Sequence, residues 1–173
     1  MSVEVRRAVE HAERLIEALL VLARTDQARA LTDPLDLAVV AEDALEGRTT
    51  DGITTTAALN EAPVTGDRVL LERLVTNLLD NAERYNLAGG AVAVSTMVDN
   101  GATSVLRVVN TGPKVPADMV ERLFQPFTRL NDRVRHDGFG LGLTLVSSIA
   151  AVHGGTVAAT AQPTGGLDIR VYL

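Results

Sequence analysis

The stretch from Leu70 to Asn86 places Leu71, Leu74, Val75, Leu78, Leu79 and Ala82 at steps of three and four residues. Apolar side chains at that spacing share one face of a helix, so the segment predicts an amphipathic helix with one stripe committed to a core. Asn77, Asn81 and Arg84 fall at i, i+4 and i+7 and form a polar ridge along the border of the stripe, with Tyr85 beside it. Carboxamides at an apolar border are costly to desolvate without partners, and an amide oxygen suits a hard cation such as Mg²⁺. A guanidinium one turn later suits phosphate oxygens. Taken alone, the helix leaves two readings open: the Asn residues merely border the core and Arg84 is solvated, or all three face a ligand.

At 173 residues the chain is long enough for one well-buried domain with an appendage. It has no Cys, which removes disulfides and Cys-based zinc or nucleophile chemistry and agrees with a reducing compartment. A net charge of −6 argues against nucleic acid as a partner held by general electrostatics, so a phosphate-rich ligand must be held by local geometry. Aromatics make up only 3% of residues, so the core is to be built from Leu, Val, Ile and Ala, and an aromatic platform for single-stranded nucleic acid is not expected. No apolar run approaches the ~18–20 residues needed to span a bilayer, and there is no signal-like apolar segment at the start. The chain as given is expected to be soluble.

Residues 3–24 read as a helix in which Val5, Ala8, Ala12, Leu15, Leu19 and Leu22 make a narrow heptad seam that calls for a partner helix. Thr32-Asp33-Pro34 predicts a turn, followed by the short Leu35-Asp36-Leu37 segment and a helix over 37–45. A Thr-rich strand is expected over 53–59, and Pro63-Val64-Thr65-Gly66 leads into Asp67, a suitable N-cap for the first helix described. Residues 91–98 and 104–109 read as strands joined by the Asp99-Asn100-Gly101 turn. A helix over 141–153 ends at Gly154-Gly155, and two strands, 156–161 and 167–172, complete an α+β domain.

Gly138, Gly140 and Gly142 alternate just before that last helix, an arrangement suited to a backbone loop close to phosphates at a helix N-terminus. No strand of a βαβ unit runs into them and no Gly-Lys-Ser/Thr follows, so they form neither a dinucleotide fingerprint nor a Walker loop. A plain loop or cap is the other reading of the same glycines. Residues 116–137 are rich in charge, and either cross the surface as a solvated excursion or form a lid anchored by Phe124 and Phe127.

Five features occur in order: the Asn-bearing helix, the Asn110-Thr111-Gly112 turn, Phe124-Gln125-Pro126-Phe127, Gly138-Phe139-Gly140-Leu141-Gly142-Leu143, and His153-Gly154-Gly155. Together they resemble the catalytic and ATP-binding domain of bacterial sensor histidine kinases, in the GHKL superfamily, over about residues 35–173. The resemblance implies a two-layer α/β sandwich with a mixed, mainly antiparallel sheet packed on helices. It assigns residues 1–29 to the second helix of a dimerisation and histidine-phosphotransfer hairpin and 30–173 to the catalytic and ATP-binding domain. It further implies that Asn81 coordinates Mg²⁺ with Asn77 in support, that Arg84 contacts phosphate and that Tyr85 lies against the nucleotide. Asn110 would meet the adenine, and Gly112 would let the base approach the backbone. Gly138, Phe139, Gly140 and Gly142 would line the triphosphate, with Leu141 and Leu143 holding that loop to the core.

Two positions depart from the family pattern. Asn110 stands where an Asp is usual, which keeps an acceptor and adds a donor. Lys114 replaces a glycine, so it imposes strain if the position needs positive φ and otherwise offers an ammonium near the phosphates. The implied reaction is transfer of the ATP γ-phosphate to a His on a phosphoacceptor helix absent from this chain, and onward to the Asp of a response regulator. Of the His residues, His11 sits beside the heptad seam and is not expected to be that acceptor, His136 reads as surface, and His153 favours its helix C-terminus. The expected setting is the cytoplasmic portion of a membrane-anchored, homodimeric kinase. The departures at 110 and 114 motivate a second reading, a degenerate nucleotide-binding module with a regulatory or partner-binding role. A third is an anti-sigma-type Ser kinase.

Overall fold

The computed structural model describes residues 33–125 and 141–173. The heptad helix, His11, the charged segment from residue 126 onward with Phe127 and His136, and Gly138, Phe139 and Gly140 lie outside the described residues.

Period-two alternation builds the central sheet. Strands β2 (Thr54–Leu59), β4 (Ala91–Asp99), β5 (Thr103–Asn110), β6 (Thr156–Ala161) and β7 (Leu167–Tyr172) lie in the order β2-β4-β5-β7-β6. β2 runs parallel to β4, and every other pair is antiparallel. Val92, Val94, Leu106, Val108, Leu167, Ile169 and Val171 point to one face and are buried, while Thr54, Thr56, Ala91, Ala93 and Arg170 stand exposed on the other. On the open face Asp168 receives hydrogen bonds from Arg107, at 2.8 and 3.0 Å, and from Arg170. The Arg107 guanidinium, helped by Arg170, holds the Asp168 carboxyl below the usual carboxylate range. The β4–β5 hairpin turns at Asn100 and Gly101, both at positive φ, as the Asn-Gly pair requires.

Helices α1 (Leu37–Leu45), α2 (Arg68–Arg84) and α4 (Gly142–Val152) cover the apolar face, and a short α3 (Ala117–Val120) runs into a 3₁₀ turn at Glu121–Phe124. The expected stripe of α2 is the centre of the core: Leu71, Leu74, Val75, Leu78 and Leu79 are fully buried. Asp67 caps α2 by accepting from the Leu70 N–H at 3.0 Å. The helix ends two residues before Asn86, with Tyr85 as its C-cap. The chain is thus an α+β two-layer sandwich with a mixed sheet, as the sequence implies.

One element differs from expectation. Residues 63–66, read as a lead-in, form strand β3 (Pro63–Gly66), which pairs antiparallel with β1 (Asp33–Asp36) in a separate two-stranded sheet. Asp33 and Pro34, read as a turn, belong to β1. Proline is tolerated in both strands because an edge leaves the missing N–H unneeded. The chain reverses at Asp36 instead, whose carboxylate accepts from Ala38 and Ala62 N–H groups, each at 2.9 Å.

His153 does more than end its helix. Its Nδ1 lies 2.8 Å from the Ile149 carbonyl, and its Nε2 accepts from the Asp67 N–H at 3.1 Å. The neutral tautomer protonated at Nδ1 satisfies both contacts. A Cβ on Gly66 would stand 2.4 Å from the imidazole, so glycine is needed there for the ring to reach. This joins the C-terminal end of α4 to the N-terminal end of α2, and the two helices run antiparallel along their contact.

Candidate functional site

At the other end, α2 outruns α4. Gly142, the first residue of α4, faces Asn77: a Cβ there would lie 3.5 Å from Asn77 Oδ1. The Asn77 amide nitrogen donates to the Arg73 carbonyl at 2.8 Å, which turns the oxygen outward from its own helix. Beyond that level α2 continues for two more turns, carrying Asn81 and Arg84, both half-buried. The overhang is a shelf with the N-terminus of α4 at its back.

Among the described residues, that N-terminus is open. Its N-cap residue, Leu141, gives no side-chain cap, and the first intrahelical bond runs from Leu145 N–H to the Leu141 carbonyl. The N–H groups of Gly142, Leu143 and Thr144 therefore lack helical acceptors and point out of the helix end, where the dipole favours an anion. The Thr144 hydroxyl is buried and has no hydrogen-bond partner among the described residues. Leu141 and Leu143 are both buried.

The far end of the shelf meets the turn after β5. Asn110, last in β5, is 4% exposed and donates from its amide nitrogen to the Thr111 carbonyl at 2.8 Å. A Cβ on Gly112 would stand 2.7 Å from the Tyr85 carbonyl and 3.3 Å from the Asn110 amide nitrogen, so this glycine lets the turn close on the end of α2. Lys114 is exposed and does not adopt positive φ; among the described non-glycine residues Asn100 alone does. The strain considered for Lys114 is therefore absent.

Sequence reasoning passed over two groups here. Gly165 and Gly166, in the β6–β7 turn, lie on the 110–113 turn so closely that a Cβ on Gly166 would be 1.9 Å from the Asn110 carbonyl. Their φ values of 105° and 92° are open to glycine, and the adjacent pair between two strands was the available signal. The second group is the contact between Asn86 and Thr111, at 2.5 Å.

The electrostatics are local. Asp80 and Glu83 flank Asn81 in sequence, and Arg48 binds both, reaching Glu83 at 2.6 and 3.1 Å. The Glu83 hydrogen bond raises the Arg48 pKa against the opposing effect of its burial, and the pairing offsets two carboxylates on this helix. Among the described residues no group of three His, Asp or Glu is placed to hold a metal ion. A cleft of about 390 Å³ lined by Pro34, Leu35, Pro63 and Leu173 lies beside His153, at the opposite end of the helices from these residues.

Helices packed on one face of a mixed five-stranded sheet in the order β2-β4-β5-β7-β6 make the fold of the GHKL class. The chain belongs to the histidine kinase-, DNA gyrase B- and HSP90-like ATPase family, whose model matches residues 66–173. It is 46% identical over 171 residues to the sensor protein CutS of Streptomyces coelicolor, covering 95% of this chain and 41% of CutS. It is 36% identical over 161 residues to the probable sensor histidine kinase TcrY of Mycobacterium tuberculosis, covering 89% of this chain and 34% of TcrY. Its fold matches the mycobacterial sensor histidine kinase MprB with a TM-score of 0.75 at 28% identity, over 82% of this chain and 97% of that one. The chain thus spans about two-fifths of the length of CutS and about a third of TcrY. Among the described residues no helix is long and apolar enough to cross a membrane.

Proposed function

We propose that residues 30–173 are the ATP-binding kinase core of a sensor histidine kinase, and that residues 1–29 supply the second helix of its dimerisation and phosphotransfer hairpin. The observation that carries the reading is the open N-terminus of α4 facing Asn77 on one side of the shelf, with the Asn110–Gly112 turn closing the other. The N–H groups of residues 142–144 and the orphaned Thr144 hydroxyl suit phosphate oxygens, and Arg84 adds a cation. Asn110 Oδ1 would accept from the adenine with its amide nitrogen already fixed on Thr111, Gly112 holds that turn against the end of α2, and Tyr85 lies alongside.

The donors at the shelf fit Mg²⁺. Asn81 Oδ1 is a hard oxygen ligand with no partner in the described chain, and Asn77 Oδ1 lies one turn away on the same ridge. When bound, the ion neutralises phosphate charge and orients the triphosphate. The chain's own residues position the nucleotide so that its γ-phosphate is presented to a His of the phosphoacceptor helix, and phosphoryl transfer of this kind is mostly positioning and charge stabilisation. A response regulator would take the phosphoryl group next, in a homodimeric, membrane-anchored parent whose kinase core is cytoplasmic.

The test is to incubate the chain with ATP·Mg²⁺ and a separately supplied His-containing hairpin. Acid-labile, base-stable phosphate should appear on the hairpin, and the chain alone should carry none. ATP binding without transfer favours the regulatory reading, whose remaining motive is Asn110, since Lys114 is unstrained. Acid-stable phosphate on a Ser substrate favours the Ser kinase.

A further inference from the structure

Asn86 lies just past the end of α2, outside the ridge that carries Asn77, Asn81 and Arg84. All four hydrogen-bonding positions of its carboxamide are used. The nitrogen donates to the Ala82 carbonyl at 3.2 Å and to the Ala91 carbonyl at 3.1 Å. The oxygen accepts from the Leu87 N–H at 2.9 Å and from the Thr111 hydroxyl at 2.5 Å. The Thr111 hydroxyl in turn accepts from the Ala91 N–H at 2.8 Å, and the Thr111 N–H donates to the Ala91 carbonyl at 3.0 Å. One amide and one hydroxyl therefore join the last turn of α2, the first residue of β4 and the turn after β5.

Gly90 is shaped to this contact. A Cβ there would stand 2.0 Å from Asn86 Oδ1 and 2.4 Å from Thr111 Oγ1, so the pair occupies the volume that any other residue would fill. The residues on either side of Thr111 are the two that the proposed function sets at the base: Asn110, whose amide is held by the Thr111 carbonyl, and Gly112, packed on the Tyr85 carbonyl. Displacing Thr111 moves both, while the open end of α4 lies on another element and keeps its geometry.

We infer that Asn86 and Thr111 are positioning residues for the base end of the nucleotide site, a latch that sets the distance between the end of α2 and the Asn110–Gly112 turn. The inference rests on the nucleotide-binding reading and extends it by separating recognition of the base from recognition of the phosphates. Its signature is selectivity: loss of the latch weakens a ligand that carries a base and leaves a ligand of phosphates alone unchanged.

The experiment measures binding of ATP and of inorganic tripolyphosphate, both with Mg²⁺, to the wild-type chain and to Thr111→Val, Thr111→Ser and Asn86→Ala by calorimetry. Thr111→Val keeps the shape of an exposed side chain and removes the hydroxyl, so the fold is expected to persist. Thr111→Val and Asn86→Ala should each weaken ATP by about tenfold with tripolyphosphate unchanged. Thr111→Ser, which keeps the hydroxyl, should bind ATP within about twofold of wild type. If wild type binds ATP and Thr111→Val binds it equally well, the latch is refuted while the nucleotide reading stands. Equal losses for both ligands assign the pair to general stability and also refute it. A wild-type chain that binds neither ligand overturns the nucleotide reading and the latch together.

Discussion

The N-terminal ends of α2 and α4 are built in opposite ways. At α2, Asp67 sits at the N-cap, its carboxylate accepts from Leu70 N–H, and its own N–H is taken by His153. At α4, among the described residues, no side chain caps the helix and the buried Thr144 hydroxyl beside it has no partner. A finished helix end contributes to folding and is closed to ligands, whereas an unfinished one keeps its N–H groups for something else. In the proposed site the two helices would therefore serve differently: α2 through side chains on its flank, α4 through the backbone of its end.

Substitutions that interchange these roles test the contrast. The largest effect is expected from Asn81→Ala, which removes a flank donor: Mg²⁺-dependent ATP affinity should fall beyond calorimetric detection, about 100-fold or more, with thermal unfolding little changed. Normal ATP binding by that variant would break the account at its centre. Next comes Gly142→Asp, which gives α4 the acidic first turn it lacks. Among the described residues a Cβ there meets only Asn77 Oδ1, at an ordinary 3.5 Å, so the substitution fits. It should hold or raise stability while lowering ATP affinity about tenfold or more, through the charge now occupying the helix end. Unaltered affinity would show that the open end is not where phosphate binds. The smallest change in binding is expected at the closed end, where Asp67→Ala should cost about 1 kcal/mol in chemical denaturation and leave the ATP dissociation constant within about twofold. A large loss of affinity there would mean that the two ends are not independent.

Much of the fold was legible because its elements are locally determined. The α2 stripe, the Asn-Gly hairpin and the strands at 156–161 and 167–172 each follow from residues close in sequence. β1 and β3 escaped because four-residue strands show no periodicity and both contain Pro, which reads as a turn. At the site, the ridge of Asn77, Asn81 and Arg84 was visible from helical spacing alone. Asn86 with Thr111, and Gly166 against Asn110, were not, because those contacts join residues far apart in sequence through backbone positions that only the assembled sheet defines. Lys114 posed a conditional question in sequence, and its backbone angle answers it.

His153 bonds Ile149 within α4 and Asp67 at the head of α2, so one imidazole couples the last turn of one helix to the first of the other. The 11 residues of α4 reach roughly 16 Å from that joint to Gly142, and Leu143, Leu145, Val146 and Ile149 seat the helix on the core along the way. The N–H groups at the far end are therefore aimed by the core, and a ligand bound there would meet donors whose orientation cost was met in folding.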